Sequence, residues 1–268
     1  MILLDQAGAG ASRSEFFLPS RGQEVFVEHF WAQQASSSAL GRSWRIVPDA
    51  NPHVIFVLSR ENSRRVRARC TIVGPRSRFA DVSMANRILT CGARLRPGAL
   101  PLLTRLPASD FTDRSAPLED VFGARGRLLM EQLAGIKSPI RAITIIGDFL
   151  SREFACQSYL PQLPLTQGNR VDEMAAQLGM PTRTLHSRLM QHVGLSPKHL
   201  LRVARLHRTL AIAQNRPLSW AQVAALGGFA DQAHMIREFR DLLGESPTTW
   251  NRRSSSADLF KTTTLTVN

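Results

Sequence analysis

The stretch Gly227–Phe239, GGFADQAHMIREF, sets Gln232, Ala233, Ile236 and Arg237 at spacings that share one face of a short helix. Met235 and Phe239, four apart, serve the opposite, buried side. The exposed set has a definite chemistry. A glutamine amide matches the paired donor and acceptor of an adenine edge, an arginine fork matches guanine, and an aliphatic group suits the thymine methyl. A helix launched from a glycine turn with these side chains outward suits entry into a DNA groove; the plainer reading is a surface helix of an all-α domain. A second set, Thr182, Arg183, His186 and Ser187, repeats the spacing fifty residues upstream.

The elements that would position both sets are themselves repeated. GLSP at Gly194–Pro197 recurs as GESP at Gly244–Pro247. Val171, Met174, Ala175 and Leu178 line one helix face, and Trp220, Val223, Ala224 and Gly227 repeat it with a one-residue slip in the turn that follows. Leu185 and Leu189 correspond to Met235 and Phe239. Each unit therefore reads as a helix, a sharp turn at Gly179 or Gly228, and a second helix that packs its apolar pair inward. Asn169 is the expected cap of the first helix, with Asp172 at its third position.

Between the units, Pro197–Gln214 reads as a linker helix capped by Ser196, with Leu200, Val203, Ala204 and Leu210 on its buried face. At about 1.5 Å per residue it spans roughly 26 Å. Such a rod can hold two helices about one DNA turn (~34 Å) apart, in successive major grooves. Lys198, Arg202, Arg205 and Arg208, on or near it, are candidates for phosphate contacts.

The totals agree with this picture without proving it. The 268 residues are 43% hydrophobic and 21% charged, as in a soluble globular protein, and suffice for two domains. The formal charge of +13 favours polyanionic partners. Residues 1–169 carry 21 basic against 14 acidic side chains, a net of +7, and residues 170–253 carry 12 against 6, a net of +6 on half the length, so the net positive charge per residue is nearly twice as high in the second part. Three irregularly spaced cysteines, Cys70, Cys91 and Cys156, argue against a disulfide framework and for a reducing compartment. With no membrane-length apolar run and no secretory pattern at the N-terminus, the expected location is the cytoplasm.

The first half reads as strands: EVFVEHFWA, WRIVPD, HVIFVL, RVRARCTIVG and NRILTCGARL, the last closed by a Pro-Gly turn. From about residue 98 the period becomes helical, in APLEDVFGARGRLLMEQLAG and SPIRAITIIGDFLSREF. The expected class is α+β: a β-rich domain with trailing helices at 1–155, a linker at 156–168, an all-α domain of two helix-turn-helix units at 169–253, and a loose tail at 254–268.

An enzymatic reading finds little support. A metal site in a β-rich domain needs two or three histidines and a carboxylate converging on one ion. This half has only His29 and His53, without an HxH pair, and Asp49 stands in a turn-forming PDANPH. Cys70 and Cys91 lack the paired spacing of a zinc site, and no metal or cofactor is expected.

Residues 169–253 resemble the DNA-binding domain of the AraC/XylS regulators. The resemblance is carried by AAQLGM, RTLHSRL and HVGLSP and, over its whole length, by AALGGFADQAHMIREFRDLLGESPTTW. It implies base-facing roles for Thr182, Arg183, His186 and Ser187 in the first unit and for Gln232, Ala233, Ile236 and Arg237 in the second. Pro181 stands where that family usually has a serine cap, and Ser187 where arginine is common. WRIVPDANPHVIFVL, IVGPRSR, GARLRPGALPLL and DRSAPLEDVF resemble the cupin-like N-terminal domain attached to some members. The resemblance implies an activator working on double-stranded DNA with RNA polymerase as partner, a small-molecule effector, and a homodimer formed through helices at about 118–155. Plainer roles are expected elsewhere. His234 makes a structural hydrogen bond, Trp220 and Trp250 belong to the core, Arg240, Arg252 and Arg253 are solvated, and Arg64, Arg65, Arg67 and Arg69 mark a wet strand face.

Overall fold

The computed structural model describes residues 3–5, 14–34, 43–62, 65–83, 86–155, 170–215 and 218–255. The expected linker, the cap at Asn169, Cys156 and nearly all of the expected tail lie outside them.

The N-terminal half forms two antiparallel sheets. The larger has the order β2 (Ser14–Phe17), β3 (Val27–Gln34), β8 (Arg87–Leu95), β5 (His53–Arg60), β6 (Val66–Val73), β9 (Ser115–Pro117). The smaller joins β1 (Leu3–Asp5), β4 (Ser43–Ile46) and β7 (Ala80–Ser83). Strand alternation gives the large sheet two different faces. Val54, Phe56 and Leu58 of β5 are fully buried, with Ile72, Leu89, Cys91 and Ala93 beside them, against a layer of helices. The alternate residues, among them Trp31, Ile55, Val57 and Thr90, face a cavity also lined by Ile46 of β4 and Val82 of β7. On the side of β6 that carries the cavity-lining Thr71 and Val73, Arg67 and Arg69 are exposed, as is Arg65 just before the strand, which fits the wet face expected there; Arg64 lies outside the described residues.

The helical layer consists of α1 (Ala99–Thr104), α2 (Leu118–Phe122), α3 (Ala124–Leu133) and α4 (Pro139–Phe154). The single helix suggested by the 116–135 periodicity is in fact two. Gly123, at φ 56° and ψ −125°, adopts a conformation outside the helical region and re-aims the chain between α2 and α3. Ser138 Oγ accepts the Arg141 N–H at 3.4 Å and Pro139 opens α4, whose Ala142, Ile146, Phe149, Leu150 and Phe154 are buried. Each large apolar side chain on this face contributes about 1.5–3 kcal/mol by leaving water.

The C-terminal half is all helix: α5 (Val171–Gln177), α6 (Thr182–His192), α7 (Pro197–Asn215), α8 (Trp220–Gly227), α9 (Gln232–Leu243) and α10 (Pro247–Ser255). The class is α+β, a β-rich half followed by a helical one. Leu185 and Leu189 in one cluster, and Met235 and Phe239 in the other, are buried cores of the two repeated units.

Candidate nucleic-acid interface

The second unit is built with close tolerances. Ser219 Oγ accepts the Gln222 N–H at 3.3 Å while Gln222 Oε1 accepts the Ser219 N–H at 3.0 Å, a reciprocal cap that starts α8. At its end, Gly227 lies so near α7 that a Cβ there would sit 2.5 Å from Thr209 Oγ1. Gly228 follows at φ 81°, turning the chain into α9. Asp231 Oδ1 then accepts the His234 N–H at 2.6 Å and caps α9. The pair of glycines therefore answers two needs, close helix contact and a left-handed turn. The His234 ring stacks edge-on against Phe229 at 5.4 Å, a structural role. Trp250 is fully buried in the core, and Trp220 packs against it.

The first unit uses the same path with fewer local bonds. Gly179 turns at φ 60°. Arg170 and Pro181 occupy the cap positions of α5 and α6, and neither offers a side-chain acceptor to the helix. Arg170 instead pairs with Asp172 at 2.9 Å. In α7, Ser196 Oγ accepts the His199 N–H at 3.3 Å, and Leu200, Val203 and Leu210 are buried while Ala204 is half-buried.

With the apolar pairs buried, Thr182, Arg183, His186 and Ser187 of α6 are exposed, as are Gln232, Ala233 and Arg237 of α9; Ile236 is half-buried. The four basic candidates near α7 separate. Lys198 and Arg208 are exposed. Arg205 is half-buried, its guanidinium 5.5 Å from the centre of the Phe229 ring. Arg202 is engaged within the protein: Nε donates to Glu238 at 2.9 Å and Nη2 to Asp241, tying α7 to α9. A free phosphate ligand at that position would have to displace two carboxylates. The Arg202 hydrogen bond holds the Asp241 carboxyl below the usual carboxylate range, against the cost of partial burial.

The helical half is docked on the β-rich half through residues that sequence reasoning did not single out. The segment after β4 inserts Val47 into the core of the second unit and Ala50 into that of the first. Asp49 between them is held by Arg94, and Asn51 donates to Glu28 at 2.7 Å and to the Leu95 carbonyl at 2.8 Å. On α7, His207 Nε2 donates to the Pro48 carbonyl at 2.6 Å and His199 Nε2 to the Ser77 carbonyl at 2.5 Å. The two repeated glycines meet equivalent fates. Thr112 Oγ1 donates to the Gly194 carbonyl at 2.6 Å. Around Gly244, Arg45 Nη1 donates to the Leu243 carbonyl and the Phe79 N–H to the Leu242 carbonyl, each at 2.9 Å. A Cβ on Gly194 would lie 2.8 Å from the Ala108 carbonyl, and one on Gly244 2.5 Å from the Phe79 ring. The GLSP/GESP repeat was the one sequence signal for these contacts. Docking here leaves the candidate base-facing side chains uncovered.

Among the described residues no group of three or more His, Cys, Asp and Glu is placed to hold a metal ion, and no helix is long and apolar enough to cross a membrane. Burial pushes the Cys91 thiol up to about 12, so this cysteine is an inert core residue.

Comparison with known proteins follows the same division. Residues 174–253 match the family model described as a helix-turn-helix domain, and residues 15–117 match one described as a domain of unknown function (DUF6597). The HTH-type transcriptional activator RhaS of Pectobacterium atrosepticum is 31% identical over 85 residues, covering 32% of this chain and 30% of that protein. RhaS of Klebsiella pneumoniae is 34% identical over 76 residues, 28% of this chain and 27% of its own. The match thus spans less than a third of the length of these curated relatives. Among solved structures, ToxT of Vibrio cholerae aligns over 91% of this chain and 97% of its own at 11% identity and a TM-score of 0.40. Residues 174–253 are thus a helix-turn-helix domain of the AraC type, the part of the chain that the RhaS relatives share.

Proposed function

We propose that the protein is a sequence-specific DNA-binding transcription regulator that inserts α6 and α9 into successive major grooves of double-stranded DNA. The observation that supports this most is the exposure, in both repeated units, of the short polar and basic side chains that follow the glycine turn, on the helix side opposite the buried apolar pairs Leu185/Leu189 and Met235/Phe239. Thr182, Arg183, His186 and Ser187 read bases from α6; Gln232, Ala233, Ile236 and Arg237 read them from α9. Lys198 and Arg208 supply phosphate contacts, with Arg205 beside them, and these carry most of the affinity and its salt dependence. Arg202 positions α9. The RhaS relatives bear the name of activators, and we assign the same direction of control here, with RNA polymerase as the protein partner. Residues 1–155 form the sensing and dimerising domain, 156–168 its linker, and 169–253 the DNA-binding domain, in the cytoplasm. The exposed Leu128 of α3 and Ile140 of α4 support a homodimer contact on the helical layer.

The test is Arg183→Ala in a binding assay against the selected site and against random DNA. The substitution should cost about 1–3 kcal/mol at the selected site and relax preference at one base position. An equal loss on both DNAs would remove Arg183 from the readout.

A further inference from the structure

The two helix-turn-helix units are joined twice. One link is α7, whose Leu200 and Leu201 lie in the core of the first unit and whose Leu206 and Leu210 lie in that of the second. The other link comes from the β-rich half. Val47 enters the second core and Ala50 the first. At about 3.3–3.6 Å per residue, the two points of entry on this strap lie no more than about 11 Å apart. Asp49 fixes the strap to the sheets. Its backbone exchanges hydrogen bonds of 3.0 and 2.7 Å with that of Arg76, and its carboxylate accepts both ends of the Arg94 fork. Arg94 Nη2 also donates to Asn51 Oδ1 at 2.8 Å, and its Nε to Glu28 Oε2 at 3.0 Å. A forked, mostly buried pair of this kind fixes geometry as well as charge. The turns that end α6 and α9 are held too, by Thr112 at Gly194 and by Arg45 and Phe79 beside Gly244.

We propose that Asp49 and Arg94 are positioning residues for DNA readout: the strap they fasten, with the contacts at Gly194 and Gly244, sets the separation of α6 and α9 and so the spacing of half-elements that the protein accepts. The specificity half of this inference rests on the DNA-binding reading above; the frame itself does not. Long helices bend, so α7 alone leaves the two reading helices free to shift against each other. The strap closes the frame, and bending α7 then requires drawing Val47 or Ala50 out of a core. One added base pair moves a half-element by about 3.4 Å along the duplex and turns it by about 34–36° around it. A frame of fixed length rejects that change, whereas a hinged pair of units follows it.

The experiment measures the separation first and its consequence second. Nitroxide labels on Gln191→Cys and Arg240→Cys, exposed positions outside the base-facing sets, report the α6–α9 distance in the full DNA-free chain by double electron–electron resonance. Cys156→Ser removes the one native thiol other than the buried Cys70 and Cys91. The native chain should give one narrow distance distribution, Arg94→Met should broaden it, and Arg94→Lys should broaden it less. Thr112→Val, a milder cut at a half-buried hydroxyl, should also broaden it, and it decides the matter if Arg94→Met does not fold. On the selected DNA site, a spacer changed by one base pair should weaken binding of the native chain about ten-fold or more, and of Arg94→Met about three-fold or less. A general loss of stability lowers affinity for every spacer alike and leaves that ratio unmoved. An unchanged narrow distribution in folded Arg94→Met, or in Thr112→Val where Arg94→Met does not fold, overturns the frame. Broadened distances with the native spacer preference overturn its part in specificity. A native chain that selects no site overturns the DNA-binding reading and the specificity half with it, while the resonance arm, which contains no DNA, still decides the frame.

Discussion

The two helix-turn-helix units share a path but are fastened differently. The second is capped at both helices, by Ser219 and Asp231, and tied to α7 by Arg202 and by the close approach of Gly227 to Thr209. Among the described residues the first has no side-chain cap on either helix, and its exposed face carries Thr182, Arg183, His186 and Ser187. A rigid unit suits holding and orienting; a looser one with more polar reach suits reading. The comparison teaches that repetition of a fold need not repeat the way each copy is fastened.

The largest expected effect tests the packed unit. Phe239→Ala should destabilise by about 3–5 kcal/mol, since the ring is fully buried against Trp250 and leaves a cavity. Urea unfolding measures it, and a cost below about 1 kcal/mol would mean the second core is not tight. Next is Gly227→Ala, at about 1–3 kcal/mol from overpacking against Thr209. The double variant with Thr209→Ala should recover part of that loss, because it removes the oxygen the new Cβ meets.

Smaller still are the caps. Asp231→Ala should cost about 1 kcal/mol. Pro181→Asp should gain up to a similar amount by giving α6 the cap it lacks, and melting curves of the two variants should move in opposite directions. The smallest effect is on acidification. The Asp241 carboxyl is held low in the folded state by Arg202, so its stabilisation is present above the ordinary carboxylate pKa and is lost as pH falls through the folded value. As pH falls below the ordinary carboxylate range of about 4, the tie from α7 to α9 should weaken, seen as faster exchange in α9; in Arg202→Met that added loss should be missing.

Much of the helical half was legible because its signals are local. Glycine turns, the i, i+3, i+4 pattern and the GLSP/GESP echo all fall within a few residues of what they specify. Arg202 shows where local reading stops: a basic residue on a helix looks like a phosphate ligand until its partners 36 and 39 residues away are placed beside it. Val47 and Ala50 are harder again. In sequence Val47 reads as part of the strand WRIVPD and Ala50 as part of the turn after it, and only the tertiary fold sends one into each unit's core. The cavity between the sheets was invisible for the same reason, since it depends on how two sheets face each other and not on neighbours in the chain. In α2 and α3 the helical period carried straight across Gly123, and its backbone conformation decided the break.

The most direct test of the account is selection of bound fragments from sheared genomic DNA by the purified full chain, at moderate salt, with sequencing of what is retained. Two paired helix-turn-helix units predict a sharp motif with two half-elements about ten base pairs apart. Recovery of random fragments, with binding that vanishes as salt rises, would contradict it and leave the basic charge without reading heads.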